Sequence, residues 1–344
     1  MGSDFIVRRG RGLDPMTLAW LMGTLQIGPG IGDVHFVCGV DTQYYSWLRD
    51  DLRMPVSQIH HTVTAAEDAC VASRNDVVLV YPGAYDEAAE IDWDKAQTHL
   101  VGLGGPNAWG DYSEPAVCIY TDTTAVAQVL DVTGQNCQFH NFVVGNFGNN
   151  TGNLAALKLN KYGCYFKNVG FHGCNTAGSD GVTAAAALYI HDNGSYPVFD
   201  DCVIGQNCWD IRTAANSGIL RFTGSSAGGS GPWNGTFNRC KFLSRAETAT
   251  VAIVALPQNY SCQGVWTFND CLFSNFWTNH ADNLNQVFYD NDGATHSIVL
   301  HNCTAVGVDE WQDADAGNNW IGADMPIVGV GGGLVANPTA VTGS

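Results

Sequence analysis

Six segments of this chain repeat one pattern: CQFHNFVVGN, CYFKNVGFHG, PVFDDCVIGQ, GTFNRCKFLS, WTFNDCLFSN and IVLHNCTAVG. Their first aligned apolar residues, Phe139, Phe166, Phe199, Phe237, Phe268 and Leu300, are separated by 27, 33, 38, 31 and 32 residues. A period in that range marks a solenoid, whose units cannot bury a core alone and must stack on their neighbours. Each unit is a short run of aromatic and β-branched residues punctuated by Asn, Gly and Asp, without helical periodicity. The expected fold is therefore a β-solenoid.

Strict alternation fails inside each unit, because Phe268 and Cys271 are three apart. A sharp corner at Asn141, Asn168, Asp201, Arg239, Asp270 and Asn302 removes the conflict. One residue there adopts the left-handed conformation that Asn and Asp tolerate best after glycine. Phe268, Cys271 and Phe273 then all point inward, while His140, Lys167, Asp200, Asn238, Asn269 and His301 point outward just before the corner. Arg239 suits a left-handed corner poorly, so its rung is expected to bend differently.

These strings resemble the right-handed parallel β-helix family, the pectate-lyase-like fold, in their asparagine corner and stacked inward Phe, Ile and Cys. The upstream stretch TVTAAEDACVASRNDVVLVYPGAYDE resembles the family's first turn, a short capping helix followed by a strand and a Pro-Gly turn. Thr64 and Glu67 have the spacing of a capping box at that helix start. The resemblance implies an all-β right-handed parallel β-helix with an N-terminal capping helix and extended terminal arms. Its expected boundaries are an arm and docking segment at 1–61, the β-helix at 62–308 and a tail at 309–344. It specifies the fold and says far less about activity, because one fold hosts many functions.

The formal charge of −18 argues against a nucleic-acid-binding body. The first residues run the other way: Arg8, Arg9 and Arg11 face only Asp4, either a solvated tail or an anchor for an acidic partner. Of the 12 cysteines, Cys202, Cys240, Cys271 and Cys303 share one inward position on rungs about 4.8 Å apart. They read as a buried ladder of small apolar side chains, with disulfides elsewhere left open. No CxxC pair supports zinc or redox chemistry. No run reaches the ~18 apolar residues a bilayer span needs. Residues 17–27, TLAWLMGTLQI, could serve as a signal-peptide core, but Asp14-Pro15 reads as an N-cap with proline at the first helical position. A short docking helix is the preferred expectation.

Polysaccharide cleavage, the activity most associated with this fold, needs paired carboxylates or calcium-binding acids. Asp200-Asp201 is the tempting pair, yet the repeat accounts for both, one outward and one at the corner. The His-Gly at 172–173 precedes that pair, whereas galacturonidases of this fold carry theirs after it, and their other motifs are absent. Asp309, Asp313 and Asp315 have a weak calcium-like spacing without the twelve-residue pattern. His60-His61 has no partner pattern, and GSSAGGSGP at 224–232 lacks the Lys-Ser/Thr of a phosphate loop. No catalytic residue and no cofactor are expected.

An acidic rod without an obvious active site resembles the compact β-helical virion proteins of tailed phages. That resemblance implies a non-enzymatic capsid decoration protein on the outer shell, made in the host cytoplasm, with the major capsid protein or another virion protein as partner. The alternatives are a tailspike that recognises or depolymerises a glycan and a secreted bacterial carbohydrate-binding β-helix. Neither nucleic acid nor membrane is expected as a partner. The outward slot after the corner holds Val143, Val203 and Leu272, an aliphatic stripe expected to pack a homo-oligomer, a trimer along the rod axes.

Overall fold

The computed structural model describes residues 30–323 apart from 41, 105–115, 125, 174–175, 206–210, 225–230, 258–260, 277–282, 292–295 and 313–319, together with Ala19, Gly23 and Leu25. Every strand pairing among them is parallel, and the strands form a right-handed parallel β-helix. Among the described residues one sheet has 8 strands and the other 17, the larger being bent through the asparagine corner. Two of its strands, Gln138–Asn146 and Tyr165–Gly173, run straight through the corner and join its two arms. The expected boundaries were too narrow. Parallel pairing begins at Val34 and reaches Ala323, so stretches assigned to the arm and the tail supply rungs.

All six expected corner residues adopt positive φ: Asn141 at 60°, Asn168 at 52°, Asp201 at 56°, Arg239 at 53°, Asp270 at 53° and Asn302 at 50°. Arg239 corrects the expectation for its rung. Its guanidinium pairs with the carboxylate of Asp201 one rung below, Nε–Oδ1 2.7 Å, and it turns the same corner as its neighbours. Inside the corner, Phe139, Phe166, Phe199, Phe237 and Phe268 form one continuous stack, with successive centroids 4.8, 4.7, 4.5 and 4.8 Å apart and planes within 9°. Parallel in-register pairing dictates this spacing, since neighbouring strands lie about 4.8 Å apart.

The cysteine ladder lies where expected, and it does more than fill space. The thiols of Cys202, Cys240, Cys271 and Cys303 donate to the carbonyls of Phe166, Phe199, Phe237 and Phe268, at 3.7, 3.4, 3.5 and 3.2 Å. A small apolar side chain with a weak donor suits the inside of a corner, where carbonyl groups converge. Cys303 is partly exposed: Trp320–Ala323 pairs with the strand before it, but among the described residues no further strand pairs with Thr304–Val306 after it. None of the ten described cysteines forms a disulfide.

The capping helix spans Val63–Ala69, and its N-cap is Thr62, not Thr64. Thr62 Oγ1 accepts from the amide of Ala65, while the carboxylate of Glu87 takes the Val63 amide at 2.7 Å and the Thr64 hydroxyl at 2.8 Å. Glu67, expected to close a capping box, is buried and ion-paired with Lys95 at 2.9 Å. A carboxylate from the next rung thus satisfies amides that a helix leaves unpaired at its start.

Above this end, a second apolar cluster covers the outer face of the first rungs. Leu25, Ile31, Phe36, Leu48, Met54, Leu79 and Val101 pack there, and Gln138 Nε2 donates to the Leu25 carbonyl at 2.8 Å. Ala19, Gly23 and Leu25 are helical, and Leu25 is buried on this chain's own rungs. Arg8, Arg9, Arg11, Asp14 and Pro15 lie outside the described residues. The covering layer explains why His140, expected to face solvent, is buried. His140 touches Gln138 and Tyr165, and His99 touches Asn75. Burial is the main cause holding both imidazoles down to about 4, with mutual repulsion at His99, nearby Lys167 at His140, and a small opposing pull from Asp76 on His99.

Two outcomes follow from this packing. Cys202, Cys240 and Cys271 should resist a thiol reagent in the native protein and react on denaturation, with Cys303 reacting first; uniform rapid labelling would contradict the corner geometry. Histidines whose folded pKa lies below the unfolded value stabilise the fold fully above about pH 6.5. That contribution is lost as pH falls toward 4, so the melting temperature should drop across this window. The drop should shrink in the double variant His99→Gln, His140→Gln.

Candidate functional site

The corner sheet leaves little chemistry free. Asp200 accepts from the Tyr165 hydroxyl at 2.8 Å and from Asn238 Nδ2 at 2.7 Å, while Asp201 holds Arg239. Asn269 Nδ2 donates to Asn238 Oδ1 at 2.8 Å, and Asn302 Nδ2 to Asp270 Oδ1 at 2.6 Å. The carboxylate pair suggested by the sequence is thus part of the rung-to-rung bonding. His172 is likewise buried, its Nδ1 2.7 Å from the Gly205 carbonyl.

The 8-stranded sheet differs. In-register pairing sets Asp92, Asp131, Lys158, Tyr189, Arg221, Ala255 and Tyr289 side by side on its outer face. Their strands alternate, with the intervening Leu130, Leu157, Leu188 and Leu220 buried in the core. Asp131 is 7 % exposed. Its Oδ2 accepts from Lys158 Nζ at 2.9 Å and from Gln128 at 3.3 Å, while Oδ1 has no partner. Arg221 Nη1 donates to the Thr183 carbonyl at 2.9 Å, its Nε is unpartnered, and burial lowers its pKa. The Thr223 hydroxyl donates to the Tyr189 hydroxyl at 2.6 Å. Beside this row, burial raises the Glu90 pKa against the opposing bond from Gln128, and the Asp131 charge adds to the rise.

The row offers carboxylate, ammonium, phenol and guanidinium groups, some with hydrogen-bonding capacity unspent. It can hold a polar, hydroxyl-rich ligand, and Glu90 with Asp131 is its nearest approach to an acid–base pair. Local motif reading missed it because each member comes from a different rung. The usable signal was the alignment of the strands IDW, LDV, LKL, LYI, LRF, VAL and FYD by their outward position.

The remaining expected sites fare differently. Asp309 is exposed and bonded to Asn283 at 2.8 Å, while Asp313 and Asp315 lie outside the described residues. Val143 and Val203 are 2 % and 6 % exposed within the single chain, which corrects the expected open aliphatic stripe. Their neighbour Gly170 has no side chain, and the His172 ring lies across it next to Val143. Of that stripe, Leu272 alone keeps a half-exposed side chain. His35, Cys70 and Asp76 place ligand atoms within 4.8 Å of one another. Asp76, however, already accepts four bonds, from the amides of Asp33 and Val71 and twice from Arg74. That spends the ≈ four lone-pair sites of a carboxylate and disfavours a metal. His60 bonds His35, and His61 lies 3.0 Å from the Cys38 carbonyl; both are structural. No helix of the described residues is long and apolar enough to cross a membrane.

No known family and no curated protein matches the sequence. Among solved structures, the chain is similar to the Aspergillus niger pectin methylesterase, with 16% identity, 82% of this chain and 89% of that one covered, and a TM-score of 0.45. It is also similar to the pectate lyase Pel9A, with 13% identity, 83% and 79% covered, and a TM-score of 0.41. A more distant likeness is to the ORF18 protein of Geobacillus virus E2, with 13% identity, 76% and 58% covered, and a TM-score of 0.31. At these identities the likeness is one of fold and carries no activity across.

Replacing Asp131 with Asn leaves Lys158 half-buried without its carboxylate. The loss of a charge-assisted bond in such a place costs about 1–3 kcal/mol. Asp131→Asn should therefore lower the chemical-denaturation midpoint, and Lys158→Met in the same chain should restore part of it. Equal midpoints for all three proteins would show that the pair does not bear on stability.

Proposed function

We propose that the chain is a non-enzymatic structural protein of a tailed-phage virion, a rigid decoration rod on the outer capsid surface with the major capsid protein as its partner. The observation that carries this reading is the use of Asp200, Asp201, Asp270 and the neighbouring asparagines. They bond one rung to the next rather than facing a substrate, and they stiffen the rod along its length. The acidic body, at net charge −18, leaves Arg8, Arg9 and Arg11 as a basic segment suited to an acidic shell. Leu25 belongs to the rod's own covering layer, so attachment is assigned to the arginines and not to that helix.

The triple variant Arg8→Ala, Arg9→Ala, Arg11→Ala should keep the wild-type melting temperature and lose co-sedimentation with assembled capsid shells, most completely at low salt. A triple variant that decorates shells normally would remove the anchor assignment. Absence of the wild-type protein from purified particles would remove the virion reading itself.

One observation favours a second reading, a polysaccharide-acting enzyme: the half-buried Glu90 beside Asp131, its pKa raised by desolvation and by the Asp131 charge. Release of oligosaccharide by the wild type, abolished by Glu90→Gln, would establish it.

A further inference from the structure

A second left-handed corner runs along the rod, where the 8-stranded sheet hands over to the larger one. Its residues are Asn75 at φ 57°, Gln97 at 55°, Asn136 at 56°, Gly163 at 75°, Tyr196 at 58°, Asn234 at 46° and Gly264 at 69°. Five of these seven are Asn or Gly, the residues that tolerate this conformation. Gln97 and Tyr196 depart from that usage, and Tyr196 is the aromatic one; a bulky residue at positive φ is a real outlier. Strain kept at one position calls for a compensating use of the side chain. The Tyr196 side chain does not pack inward, since the residue is 58 % exposed.

Its neighbours on adjacent rungs are also exposed aromatics. Tyr162 is 42 % and Trp233 47 % exposed. Backbone bonds tie the three rungs together: the Gly163 amide donates to the Ser195 carbonyl at 2.9 Å, and the Tyr196 amide to the carbonyls of Trp233 and Asn234 at 2.8 Å. The Trp233 amide is fixed by Ser195 Oγ at 2.8 Å. Its ring lies against Gly264, where a Cβ would come within 3.2 Å of Cε3. The platform is therefore held in place before any ligand arrives, which lowers the ordering cost of binding.

We propose that Tyr162, Tyr196 and Trp233 form a binding edge for a neutral glycan chain lying along the rod axis. Three features select this occupant. One exposed aromatic side chain stands on each of three successive rungs, whose strands lie about 4.8 Å apart, and each offers a flat face for the C–H surface of a sugar ring. Amides and hydroxyls stand between and beside them, with Asn193 exposed and Asn234 half-exposed, whereas the centre of a protein interface is contiguous and apolar. The net charge of −18 disfavours a polyanion. This edge lies apart from the Asp131–Lys158 row, and the inference holds wherever the rod is mounted.

The full-length protein should be run on native gels cast with hydroxyethyl cellulose, galactomannan or dextran, with polygalacturonate as the anionic control. The expected result is retardation by at least one neutral polymer and none by polygalacturonate. Tyr196→Asn should weaken that retardation at least fivefold while its melting temperature stays equal or rises, because Asn relieves the strained corner. Trp233→Ala should show the same loss of retardation. The proposal is overturned if no neutral polymer retards the wild type, if only polygalacturonate does, or if both variants bind as the wild type does. It is also overturned if Tyr196→Asn leaves glycan retardation intact but turns an oligomer into a monomer in sedimentation, since the edge is then a contact between copies.

Discussion

One backbone conformation holds this fold together: the left-handed residue two positions after the inward Phe or Leu on each of the six corner rungs. Without it, a residue three positions after Phe268 would face solvent, and the core would lose either its phenylalanine stack or its cysteine ladder. With it, two sheet arms share one interior, and both side-chain columns point into that interior. The corner also sets where polar residues go. Asn, Asp and one Arg occupy it, and their side chains bond across rungs, so the residue chosen for its backbone also stiffens the surface.

Parallel in-register stacking turns each sequence position into a row along the rod. Rows repeat chemistry at fixed spacing, which is why the buried ones are uniform and the exposed ones informative. The row on the 8-stranded sheet changes character from acid to base to phenol to guanidinium within four rungs. On the Tyr162–Tyr196–Trp233 edge, Tyr196 puts a bulky side chain at a corner held mostly by Asn and Gly. Both depart from what stacking alone requires, and such local departures are where function is expected to sit. The phenylalanine stack, by contrast, is fully explained by core packing.

The first rungs are built differently from the rest. An apolar layer covers their outer face, and the cost is a pair of buried histidines, His99 and His140, kept neutral by desolvation. That layer removes apolar surface that would otherwise remain exposed on the rod. It also separates two roles that sequence reading had merged. Leu25 belongs to the fold, and attachment is a role we propose only for the arginines ahead of it.

The sequence by itself determined the repeat, the corner positions and the inward columns, because these are local: each needs only a residue type and its spacing from the next. Arg239 marks the limit of that reasoning, since its tolerance for a left-handed corner depends on Asp201 one rung away. Tertiary structure alone decided what the outward residues do. Val143, Val203 and His140 read as exposed from their phase, yet neighbouring elements cover them. The Asp131–Lys158 row and the aromatic edge unite residues roughly thirty positions apart, with insertions of varying length between them. Contiguous motifs do not record such neighbours; the stacking register does.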